Sequence, residues 1–224
     1  FFPCSFFFLL PFFFLLCFFF FSFLFLWARG GRPPPPPPIL FLVFPPPAGG
    51  RGAPPGPRAV DFALVTLSDA DRGYLARCVE LAGEALIHGD DPFGSLLVDA
   101  DGTVLFEDRN RAGDGDATRH PEFTIAQWAV ANLIPAQRIQ TTVYTSGEHC
   151  AMCAAAHAWV GLGRIVYASS AAQLTEWLRE LQVPAAPVAP LPITAVAPHA
   201  VVDGPAPEFE QDLKALFRAR YQNR

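Results

Sequence analysis

The sequence has one lysine, Lys214, in 224 residues, and no aspartate or glutamate before Asp61. All 21 acidic residues fall within residues 61–224 against 12 basic ones, so that segment carries a formal charge of −9. It lacks the broad positive field that holds phosphate backbones nonspecifically, which argues against a nucleic-acid partner. Cysteine is sparse as well. Cys4, Cys17, Cys78, Cys150 and Cys153 form an odd, unevenly spaced set, which argues against a secreted disulfide framework and for a reducing, cytoplasmic compartment. There is no internal repeat. No basic stretch precedes the apolar start and no Ala-x-Ala cleavage site follows it, so a cleaved secretory signal is not expected.

Phenylalanine and proline are crowded into the first quarter, where 16 of 22 Phe precede position 45 and 14 of 24 Pro precede position 61. The 22 residues from Phe6 to Trp27 carry no charge, enough on length alone to cross a bilayer of roughly 30 Å as a helix. Arg29 and Arg32 follow and would leave the rest of the chain in the cytosol. Against an anchor, the run is nearly pure Phe and Leu, contains Pro11, and leads into Pro33 to Pro38 and Pro45 to Pro47. This monotony resembles low-complexity DNA read as protein, so residues 1–60 are expected to be a disordered extension or an artefact. Residues 28–58, rich in Pro and Gly, read as a linker. A membrane partner is expected only if the Phe-rich segment is genuine. Residues 61–224 suffice for one domain with a sizeable core.

Within that domain, Ser68 and Asp71 predict a capping box, and Tyr74, Leu75, Cys78, Leu81, Ala82, Ala85 and Leu86 keep helical spacing up to Gly89. Gly94–Val98 and Thr103–Glu107 flank Asp99-Ala100-Asp101-Gly102 and predict a hairpin. A second helix is expected from Pro121 to about Leu133, and a strand from Thr141 to Thr145. An Ala-rich helix is expected from Cys150 to Leu162 with Gly163 as its C-cap, followed by a strand over Arg164–Ala168. Ile193–Val196 reads as strand-like and Glu208–Tyr221 as a last amphipathic helix. Strands alternating with helices predict an α/β protein whose sheet is covered on both faces.

Four residues suggest chemistry. Cys150 and Cys153, three apart at a helix start, present both sulfurs from one face, where the helix N-terminus favours thiolates. Taken alone, the pair is equally compatible with a thioredoxin-like redox motif, a structural zinc half-site or chance. His120-Pro121-Glu122 narrows the choice. Pro is favoured at the first helical position, which leaves His120 as the cap residue, free to reach a site that Glu122 also faces. His120, Cys150 and Cys153 then supply three zinc ligands and leave a tetrahedral ion one open position, the arrangement of a catalytic site that acidifies water toward a pKa of roughly 7. Glu122 is left over to move protons. The bland alternatives are that Glu122 is only a first-turn acid, that His157 closes the site as a fourth ligand, and that Asn110 is a turn residue. Trp128 and Trp159 are expected in the core, and Trp177 in the core or at an interface, with stacking on a base as its functional alternative.

The pattern His120-x-Glu122 followed by Cys150-x-x-Cys153 resembles the zinc-dependent cytidine and deoxycytidylate deaminase superfamily. Asp91-Pro92-Phe93-Gly94, Asn110-Arg111 and Gly163-Arg164-Ile165-Val166-Tyr167 look like the nucleobase and nucleoside deaminase branch, which includes guanine deaminases and tRNA adenosine deaminases. The resemblance covers about Leu75 to Ala168. It implies a three-layer α/β/α sandwich with a central mixed sheet, Zn2+ as cofactor, a small-molecule nucleobase or nucleoside substrate, and a homodimer or larger homo-oligomer. It further implies Glu122 as proton shuttle and Asn110 as a substrate contact. One departure stands out: the family's usual Pro before the first Cys is His149 here.

The implied reaction is hydrolytic deamination, in which water attacks the amino-bearing ring carbon and Glu122 passes its proton to the ring nitrogen and then to the departing ammonia. Two alternatives remain, adenosine deamination in tRNA and a non-catalytic zinc-stabilised partner protein of the same fold. The −9 domain speaks against the first, and the presence of Glu122 against the second.

Overall fold

The computed structural model describes residues 67–222. The Phe-rich run Phe6–Trp27 and the Pro-rich linker over 28–58, with the expectations placed on them, lie outside the described residues.

Helix α1 (Asp69–Ile87) opens as the sequence predicts: the Ser68 side chain accepts from Asp71 N–H while the Asp71 carboxylate accepts from Ser68 N–H. The hairpin of β1 (Gly94–Val98) and β2 (Val104–Arg109) turns on Asp99, whose Oδ1 accepts from Asp101 and Thr103 N–H at 2.9 and 2.8 Å. There follow α2 (Pro121–Asn132), the single turn α3 (Pro135–Arg138), β3 (Thr142–Gly147), α4 (Ala151–Val160), β4 (Arg164–Ser169) and α5 (Ala171–Glu180). The chain ends with the short α6 (Ile193–Val196), β5 (Val202–Asp203) and α7 (Glu210–Tyr221). The sheet order is β2-β1-β3-β4-β5, with β1 antiparallel to both neighbours and β3, β4 and β5 parallel.

Because side chains alternate along a strand, the sheet divides its apolar residues between two layers. Leu96, Val98, Tyr144, Val166 and Ala168 face Leu75 and Cys78 of α1, Trp177 of α5, and Leu213 and Phe217 of α7. On the other face Leu97 and Val143 pack with Ile125, Ala126 and Ala129 of α2, while Ile165 packs with Ala154 of α4 and Ile193 of α6. The result is the expected three-layer α/β/α arrangement around a mixed sheet. Among the described residues, no helix is long and apolar enough to cross a membrane.

Three local expectations are corrected, and one helix is added. Helix α4 stops at Gly161, which takes the left-handed conformation (φ 72°) that a C-cap needs, two residues before Gly163. Gly163 is instead required by close approach, since a Cβ there would run into the carbonyls of Thr141 and Ile139. Ile193–Val196 is a helical turn and not a strand: the sheet position beside β4 belongs to Val202–Asp203, and Ile193 is buried against α4. Helix α5 lies outside the sequence expectations, although Ser170 and Gln173 form a full capping box at its start. Of the tryptophans expected inside, Trp177 is buried in the core and Trp128 stacks on Phe106, but Trp159 is 88% exposed on α4.

Candidate metal centre and active site

The N-termini of α2 and α4 converge beside the ends of β1 and β3. His120 is the N-cap of α2 in extended conformation (φ −85°, ψ 140°) with Pro121 at the first helical position, as the sequence reading requires. Cys150 is the N-cap of α4, and Cys153 lies in its first turn. His120 Nδ1, Cys150 Sγ and Cys153 Sγ form a triangle with all three edges 3.6 Å. Tetrahedral zinc with Zn–S of about 2.3 Å and Zn–N of about 2.0–2.1 Å separates its ligand atoms by about 3.5–3.8 Å, so the triangle fits one zinc ion with its fourth position open. Among the described residues, these three form the group of ligand atoms close enough to hold a metal ion.

Hydrogen bonding to Cys153, aided by His120 and opposed by burial, draws Cys150 down to about 4. Cys153 is pushed far up, first by its bond to Cys150 and then by burial. His120 is raised, chiefly by its hydrogen bond to Cys150.

Glu122 projects from the first turn of α2 into a buried polar row across the sheet. Its Oε1 meets the hydroxyls of Ser95 on β1 and Thr145 on β3 at 3.1 and 2.9 Å, and these residues are themselves paired across the strands. Its Oε2 points the other way, 3.7 Å from Cys153 Sγ. Burial raises its pKa above the ordinary carboxylate value, although His120 and the Thr145 hydroxyl work in the opposite direction. A carboxyl group in this setting is suited to both taking and returning a proton.

Asn110 follows β2 and is buried, its N–H donating to Phe93 O at 2.9 Å. Its Oδ1 accepts from Ala112 N–H at 2.9 Å, so the acceptor half of the amide already serves the loop. His157 is not in the ligand triangle; its Nε2 lies 2.9 Å from Gly163 O. His149 is 1% exposed, neither ring nitrogen has a partner among the described residues, and its ring meets His157 edge-on at 5.6 Å.

The sequence reading missed Ser95 and Thr145, the residues that grip Glu122. For Ser95 the signal was present, since it is a lone hydroxyl residue in an otherwise apolar buried strand, whereas Thr145 stands among Thr142 and Ser146 and does not stand out. It also missed Asp90, which holds the loop after Asn110 by accepting from Arg109 Nη1 at 2.7 Å and Gly113 N–H at 2.8 Å.

Comparison with known proteins agrees with this geometry. Residues 68–169 match the cytidine and deoxycytidylate deaminase zinc-binding region. A probable cytosine deaminase of Schizosaccharomyces pombe is 36% identical over 106 residues, which is 46% of this chain and 63% of that protein. A guanine deaminase of Bacillus subtilis is 35% identical over 98 residues, 43% of this chain and 62% of that one. The chain thus spans less than two thirds of the length of these curated relatives. The crystallised guanine deaminase of Nitrosomonas europaea superposes with a TM-score of 0.54 over 78% of this chain and 97% of its own, at 18% identity, a likeness of fold alone.

Proposed function

From the premise that residues 68–169 form a zinc-binding domain of the cytidine and deoxycytidylate deaminase type, we propose that this chain hydrolytically deaminates a free nucleobase or nucleoside. The observation that supports it best is the three-donor triangle with the Glu122 carboxylate beside it, 3.7 Å from Cys153 Sγ. A structural zinc site would close its fourth position with another protein ligand; among the described residues no fourth ligand atom joins the triangle, and a buried acid lies beside it.

In this reading His120, Cys150 and Cys153 hold zinc, which when bound acidifies water and so supplies a nucleophile at neutral pH. Glu122 accepts the proton of the attacking water at Oε2, the oxygen not engaged by Ser95 and Thr145. It delivers that proton to the ring nitrogen as the water oxygen bonds to the amino-bearing carbon. A second transfer through the same oxygen protonates the amine, which leaves as ammonia, and a carbonyl remains on the ring. Asn110 contributes its Nδ2, which no described residue engages, as a donor to an acceptor on the substrate. The activity is assigned to residues 61–224, where every one of these groups lies.

Ammonia release by the zinc-loaded full chain should be measured with cytosine, guanine, adenine and their nucleosides. Turnover of at least one is expected. Failure with all of them at stoichiometric zinc would overturn the proposal.

A further inference from the structure

We propose that Glu148 is a positioning residue for the metal centre, anchoring the turn that carries Cys150; the inference rests on the assignment of Cys150 and Cys153 as ligands. Strand β3 ends at Gly147 and α4 begins at Ala151, so residues 148–150 alone carry the chain from sheet to helix. Glu148 is tied at three points. Its N–H donates to Ser169 O at 2.8 Å, continuing the parallel ladder one step past the end of β3. Its Oε2 accepts from Ala171 N–H at 2.8 Å, and its Oε1 accepts from Ile193 N–H at 2.9 Å.

Ala171 and Ile193 are the first residues of α5 and α6, where backbone N–H groups have no partner within their own helix. One carboxylate therefore satisfies two such donors from separate parts of the chain. With both oxygens and the backbone nitrogen hydrogen-bonded, Glu148 is restrained two residues before Cys150. The anchor reaches the second sulfur as well. Ile193, held by Oε1, packs on Ala154 of α4, the residue after Cys153. Glu148 thus braces the turn before Cys150 directly and the first turn of α4 through Ile193.

An ordinary helix cap would contribute to fold stability only. A positioning residue also governs how tightly and in what geometry the metal is held, and supporting residues around a metal commonly change affinity by about 10- to 100-fold when removed. The test uses the full chain as wild type, Glu148→Ala and Glu148→Gln, with Arg164→Ala as a destabilised control whose ion pairs with Asp71 and Asp203 lie outside the triangle. Zinc dissociation constants are measured by chelator competition, and the ligand field is read from the visible bands of the cobalt-substituted proteins.

Glu148→Ala is expected to bind zinc at least about ten-fold more weakly, with shifted cobalt bands. Glu148→Gln should fall between, since its one carbonyl oxygen still accepts from one of the two N–H groups, and it carries the test if the alanine variant does not fold. Arg164→Ala should keep wild-type affinity. Unchanged affinity and bands in both Glu148 variants, or equal weakening in Arg164→Ala, would overturn the proposal while leaving the ligands in place. A wild-type chain that binds no zinc would instead overturn the ligand assignment, and this inference with it.

Discussion

Thr145 Oγ1 lies 2.9 Å from Glu122 Oε1, joining the central strand of the sheet to the acid beside the metal triangle. This hydrogen bond favours the ionised carboxylate against the burial that raises its pKa. Thr145→Val keeps the shape and removes the donor, a bond to a charged group worth about 1.5–3 kcal/mol. The Glu122 pKa should then rise further, and the acidic limb of the kcat/KM profile should move to higher pH. A profile whose acidic limb stays in place would show that Thr145 does not tune this carboxyl.

Glu122 itself separates an enzyme from a zinc-binding scaffold. Glu122→Gln preserves size and can still engage Ser95 and Thr145, but it cannot accept a proton. A positioned acid/base contributes about 10²- to 10⁴-fold, and one residue here serves successive transfers, so kcat should fall by about 10⁴. Zinc content should be unchanged, because the three donors of the triangle are intact. Measuring both on one sample decides the matter: retained turnover removes Glu122 as proton shuttle, and lost zinc makes it part of the metal's support.

Zinc is expected at one equivalent per chain and should be lost in Cys150→Ala, since two donors cannot reproduce the three-edged site. Metal analysis after exhaustive dialysis checks this. Full occupancy in that variant would place the ion elsewhere.

Much of this architecture was legible because its signals are local. The Ser68–Asp71 box, the Asp99–Gly102 turn and the Pro121 start of α2 each act through neighbours within four residues, and the structure has all three. The metal triangle was legible for a different reason: its residue types are rare and their order is characteristic. What stayed hidden depends on distant partners. The β-branched Ile193–Val196 suggests a strand, yet the sheet position beside β4 is taken by Val202–Asp203, and burial against α4 decides for a helix. Glu148 looks like any loop acid until Ala171 and Ile193, more than twenty and forty residues later, bring their N–H groups to it. The Ser170–Gln173 box at the start of α5 is a local signal of the same kind as Ser68–Asp71.

Asp71 predicts an acid-sensitive fold. Burial alone would raise its pKa, but hydrogen bonds from Arg164, Tyr144 and Ser68 outweigh this and hold it well below the usual carboxylate range. In the unfolded chain the same group titrates near 4, so on acidification the unfolded state takes up the proton first. The stabilisation is therefore fully present above about pH 5 and is lost as pH falls from there toward 2. Asp71→Asn should lower stability at neutral pH by about 3 kcal/mol, leaving Arg164 without this partner, and should reduce the slope of unfolding free energy across that acid window. Chemical denaturation at several pH values tests it; an unchanged slope would deny Asp71 the role.

His149 stands where the family that the sequence resembles usually has proline. The imidazole is buried, and neither ring nitrogen has a hydrogen-bond partner among the described residues. Replacing a polar group in that state by an apolar one of similar volume relieves the desolvation penalty, which is about 1–3 kcal/mol. His149→Leu should therefore raise stability, by about 1 kcal/mol after some loss of packing against His157. Because its neighbour Cys150 belongs to the metal triangle, zinc content must be measured on the same samples. Greater stability with zinc retained would mean that this histidine is kept at the expense of the fold and is not needed to hold the metal. A loss of stability would show instead that the ring nitrogens have a partner, such as an ordered water, that the leucine cannot keep.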